Sequence, residues 1–97
     1  MVEISYKKHV QVNEEEFVVC YNLLSEDKKY HVECYIENTE EKNYHTYCLI
    51  KKFTTDRQFA AQFVAAIAKG EALPIHIVDI LEDYQNEETY RQVRQFY

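Results

Sequence analysis

Glycine and proline are almost missing from this chain, which has Gly70 and Pro74 and no others in 97 residues. A chain so poor in both has no glycine-rich phosphate loop, which needs several flexible positions and close backbone approach to the ligand. It also has no flexible linker or low-complexity segment to divide it, so one domain spanning 1–97 is expected. Long apolar runs are missing too. The N-terminus, Met1-Val2-Glu3-Ile4-Ser5-Tyr6-Lys7-Lys8, has no apolar core of signal-peptide length, and no later stretch is long and apolar enough to cross a membrane. The expected setting is the cytoplasm. Cations are scarce, with 11 Lys and Arg against 17 Asp and Glu, a formal charge of -6. That is the wrong sign for gripping phosphate backbones, so direct nucleic-acid binding is not expected. Three cysteines, an odd number without a Cys-x-x-Cys knuckle, fit reduced thiols better than a disulfide framework or a zinc site.

What is present is apolar and aromatic. Hydrophobic residues make up 46% of the chain, with nine Tyr and five Phe, far from the aromatic-poor composition of disordered segments. Polar clusters at Asn13-Glu14-Glu15, Ser25-Glu26-Asp27-Lys28 and 38–43 mark turns. The runs between them are rich in β-branched and aromatic residues and predict strands at 2–12, 17–24, 30–37 and 44–53. A four-stranded antiparallel meander follows.

Cys20, Cys34 and Cys48 are fourteen residues apart. If the turns centre near Asp27 and Glu41, the three face one another across adjacent strands. One sheet face then carries Ile4, Val10, Val12, Val18, Cys20, Leu24, Val32, Cys34, Ile36, Cys48 and Ile50, the expected core side. The other carries Phe17, Val19, Tyr21, Tyr35, Tyr47 and Leu49, with Glu33, Glu37, His31, His45 and Lys51. Two helices cover only one face of such a sheet, so this second face is expected to be exposed and aromatic. A slip of one residue in any strand would exchange the faces.

The C-terminal part reads as helical. Thr55 with Gln58 matches a capping box, Asp56 suits the positive end of the helix dipole, and Lys69-Gly70 supplies a stop. Phe59, Ala60, Phe63, Val64 and Ile67 recur at helical spacing, predicting a helix over 56–69. Pro74 opens a second helix, 74–85, with Ile77, Ile80, Leu81 and Tyr84 on one side and His76, Asp79, Glu82 and Asp83 on the other. Asn86 is a candidate cap for a piece at 87–97 with Tyr90, Val93 and Tyr97 on one stripe, which either continues the helix or docks separately. The fold class is therefore α+β, with two or three helices on one face of the sheet.

Residues 44–84, with their Thr-Thr-Asp helix start and the run Pro74-Ile75-His76-Ile77 through Asp79-Ile80-Leu81 to Asp83-Tyr84, resemble a family of short Firmicutes proteins. That family occurs particularly in gut Clostridia and their mobile elements and has no assigned activity. The resemblance implies a bacterial setting and a mobile-element gene; it transfers no catalytic residue.

Candidate chemistry is sparse. His76, Asp79 and Asp83 fall within about 60° of one another around a helix, a spacing open to a divalent cation and equally typical of a solvated polar face. No Cys and His pair is singled out as nucleophile and base, and no catalytic residue, metal or cofactor is assigned. The expected function is a non-enzymatic module that binds another protein. Its contact residues are Tyr21, Glu33, Tyr35, Glu37 and Tyr47 on the sheet with Asp79, Glu82 and Asp83 on the helix. The sharpest form is an acidic inhibitor that fills the basic channel of a defence nuclease, as anti-CRISPR proteins do. The alternative is a host regulatory or adaptor domain, dimerising through the aromatic face.

Overall fold

A computed structural model describes residues 1–39, 43 and 45–94, with side chains described up to residue 85. Four strands, β1 (Val2–Val12), β2 (Glu15–Glu26), β3 (Lys29–Ile36) and β4 (Tyr47–Thr54), form one antiparallel sheet in chain order. Helix α1 (Arg57–Lys69), a single 3-10 turn (Pro74–His76) and helix α2 (Ile77–Arg94) follow. The α+β meander expected from the sequence is present. The predicted start of β4 at Tyr44 and much of the turn at 38–43 lie outside the described residues.

The first two connections are two-residue hairpins, closed by the pairs Val12 with Glu15 and Glu26 with Lys29. All four turn residues are left-handed, Asn13 at φ 50°, Glu14 at 70°, Asp27 at 51° and Lys28 at 64°. This is the turn whose twist matches that of paired strands. It also corrects the expected register. The β2–β3 turn is centred between Asp27 and Lys28, not on Asp27, and that half-residue moves β2 to the opposite parity. Tyr21 pairs with Cys34 and Cys20 with Tyr35, while Cys34 and Cys48 do face each other as expected. The cysteines therefore form a pair and an outlier. Phe17, Val19, Tyr21 and Leu23 point to the helix side, and Val18, Cys20, Asn22 and Leu24 to the other.

The core lies between this sheet and α1. Ala60, Phe63, Val64, Ile67 and Ala68, one helical stripe, are buried against Val19, Tyr21, Leu23, Val32 and Cys34. Each large apolar side chain so removed from water contributes roughly 1.5–3 kcal/mol. Asp56, not Thr55, caps α1: its Oδ1 accepts the N–H groups of Gln58 at 2.9 Å and Phe59 at 3.2 Å. Asp is at least as strong a cap as Thr, and here one carboxylate oxygen accepts from both amides. At the other end Ala72 N–H donates to Ile67 O and Glu71 N–H to Ala68 O, a Schellman ending. The left-handed residue there is Glu71, at φ 55°, with Gly70 one place too early at an ordinary φ of -80°.

Pro74 starts the 3-10 turn and α2 begins only at Ile77. Asn86 does not cap a separate helix; α2 runs through it to Arg94. No glycine or proline follows Pro74, and an interior Asn costs well under 1 kcal/mol relative to Ala, too little to break a helix already under way. The stripe expected from Tyr90, Val93 and Tyr97 lies outside the described side chains. Ile77 and Leu81 are buried beside α1, and the Tyr84 ring meets Phe63 edge-on at 5.6 Å between centroids.

One irregularity joins the layers. Strand β4 bulges near its end, where Lys52 takes φ 54°. Between the pairs Val32–Ile50 and Tyr30–Thr54 this strand spends two residues more than β3, which interrupts the alternation, and Phe53, due on the Leu49 and Lys51 side, turns to the helices and meets Phe63 at 5.7 Å. The Lys52 N–H, diverted from the ladder, donates to His31 Nδ1 at 2.7 Å.

Candidate functional site

Both helices lie on the same side of the sheet, and among the described residues no helix covers the side that carries Cys20, Asn22, Glu33, Tyr35, Tyr47 and Leu49. Its polar groups are tied together across the strands. Ser5 Oγ on β1 donates to Asn22 Oδ1 on β2 at 2.7 Å, and Asn22 Nδ2 donates to Glu33 Oε1 on β3 at 3.0 Å. Tyr47 OH on β4 donates to Glu33 Oε2 at 2.7 Å. Each strand contributes one residue to this chain of hydrogen bonds. The Tyr35 and Tyr47 rings, on directly opposed residues, stack at 6.4 Å with an interplanar angle of 25°.

A second tie runs parallel to the first. Lys7 on β1 reaches across β2 to place its Nζ 2.7 Å from Glu37 Oε1, just past the end of β3. The hydrogen bond between them raises the Lys7 pKa and lowers that of Glu37. Cys20 lies below, 4% exposed, within hydrogen-bonding reach of Tyr35. Burial pushes the Cys20 thiol up; it does the same at Cys48, and takes Cys34 to about 12. Thiols held protonated in this way are poor nucleophiles. The Tyr47 phenol is pushed up to about 12, first by its bond to the Glu33 carboxylate and then by burial.

Glu33, Tyr35, Glu37 and Tyr47 come together, as the sequence reading requires, around an open depression of about 390 Å3 finished by Asn38, Thr39 and Thr46. Tyr21 does not join them. It is fully buried on the helix side, and its OH donates to Ala72 O at 2.7 Å. The half-residue shift of the hairpin centre moved it there. Asp79, Glu82 and Asp83 are exposed on α2, with the sheet between them and the tyrosine pair, so the eight expected contact residues do not make one surface. Among the described residues no group of three His, Cys, Asp or Glu is arranged to hold a metal. His76 sits in the 3-10 turn and Asp79 in the α-helix, which breaks the even helical spacing assumed for them.

Sequence reasoning missed Ser5, Lys7, Cys20 and Asn22. The signal was available: two-residue turns at Asn13-Glu14 and Asp27-Lys28 would have put all four on the side of Tyr35. No helix among the described residues is long and apolar enough to cross a membrane.

The chain belongs to DUF6514, a family of unknown function whose profile matches residues 1–87. The matched residues span the whole sheet, α1 and the first part of α2. No curated protein and no solved structure matches the chain.

Proposed function

We propose that this chain is a non-enzymatic binding module that engages a basic surface of another protein through its helix-free sheet face. The observation that carries the reading is the stacked Tyr35–Tyr47 pair flanked by the carboxylates of Glu33 and Glu37 beside an open depression. Tyrosines supply large contact area at little entropic cost and act as anchors at the centre of interfaces. Glu33 is already oriented by Asn22 and Tyr47, so binding need not order it, and carboxylates fixed in place steer a cationic partner into register. In its sharpest form the module is a mobile-element inhibitor that occupies the basic channel of a defence nuclease, its carboxylates standing in for phosphates.

The test is binding to a panel of purified nucleases with basic channels at low and at high salt. A complex weakened steeply by salt and abolished by the Glu33→Lys, Glu37→Lys double variant is expected. Binding that ignores both would end this reading.

A second reading, an adaptor that dimerises through the same face, is favoured by Leu49, 37% exposed, which with Leu24 lines the depression beside His31. Sedimentation decides between them. A dimer that persists at high salt and dissociates on Leu49→Glu supports the adaptor.

A further inference from the structure

On the other side of the molecule, the C-terminal half of β1 runs beside an open groove of about 590 Å3 at the start of α2. Val10, Val12, Leu73 and Ile80 supply its apolar surface, and the carboxylates of Glu71, Asp79 and Asp83 line it as well. None of these three has an ion-pair partner among the described residues.

Strand β1 is an edge of the sheet, so every second N–H and C=O along it points outward, a template for another strand. The two edges differ. The β4 edge is interrupted by the bulge at Lys52, which turns the strand and diverts an amide to His31. In β1 the pairing is unbroken from Ile4 to Val12. Lys8 guards the middle of β1 against a cationic strand, which leaves residues 9–12, beside the groove, as the open stretch.

From this we infer a second docking site: an extended segment of a partner protein adds to β1 at residues 9–12 as a fifth strand. On the side facing α2 it carries an apolar residue against Ile80 and, two positions along, an Arg or Lys between Asp79 and Asp83. Backbone pairing supplies the affinity and the alternating side chains the selectivity. The inference uses none of the residues of the tyrosine face, so either surface can fail without the other.

The test uses the full 15N-labelled chain and two synthetic peptides, Thr-Val-Thr-Arg-Thr-Val-Thr and the same peptide with Glu in place of Arg. The Arg peptide is expected to slow amide exchange at His9 and Gln11, the outward-facing amides of this stretch, at least about tenfold and to shift Ile80 and Asp83 resonances, while the Glu peptide does neither. The exposed double variant Asp79→Lys, Asp83→Lys should lose the response while its amide spectrum stays that of the folded chain. Equal responses to the two peptides, shifts centred on Tyr35 and Tyr47, no response to either peptide, or a response that survives the double variant would each overturn the proposal.

Discussion

Tyr21 and Tyr47 show how position decides what one residue type does. Tyr21 crosses the core to donate to the Ala72 carbonyl, tying β2 to the loop after α1. Tyr21→Phe should lose about 1 kcal/mol by urea unfolding, the net worth of one hydrogen bond plus the stranded carbonyl. Tyr47 holds its proton to about 12 and Cys34 to about 12, whereas unfolded they titrate near about 10 and 8.5. Between those values the folded chain binds more protons than the unfolded one, so stability is full below about pH 8.5 and falls as pH rises towards about 12. Urea midpoints across that range should decline, and Tyr47→Phe should flatten the decline above about pH 10.

At the scale of elements, strand and helix identities were legible because β-branched and aromatic runs, a capped alanine-rich segment and Pro74 each carry a local physical signal. Parity was not. Glycine normally announces a two-residue hairpin, and here Glu14, Asp27 and Lys28 take left-handed angles without one. The candidate site suffered accordingly: Tyr35 and Tyr47, on strands whose parity was right, were placed correctly, and Tyr21 on β2 was not. The same economy of glycine leaves relievable strain. A left-handed non-glycine residue costs about 1–2 kcal/mol, and glycine returns roughly half of that as unfolded-state entropy. Lys28→Gly and Glu71→Gly, at φ 64° and 55°, should therefore each raise stability by about 0.5–1 kcal/mol. Asp56→Ala, which removes the α1 cap, should cost about 1 kcal/mol. Denaturant midpoints at constant slope check all three.

For the whole molecule, the sheet separates a tyrosine and carboxylate face from an acidic groove beside α2. Composition announced the charge of -6 but not its division between two sides, since that depends on which strand residues point which way. Charge reversal should therefore act independently on the two surfaces. Asp79→Lys with Asp83→Lys should leave any complex formed through Tyr35 and Tyr47 within about twofold of its original affinity, with the residual effect removed by salt. A larger loss in a titration at high salt would mean that one partner contacts both sides.

The two sides are nevertheless riveted at one point. The His31 ring lies on the open face and holds the Lys52 amide, and that amide belongs to the bulge which sends Phe53 into the aromatic cluster with Phe59 and Phe63. Loss of the His31 Nδ1 acceptor would strand the Lys52 amide, so a substitution made on the front of the sheet is expected to be read at its back, in the packing of Phe53.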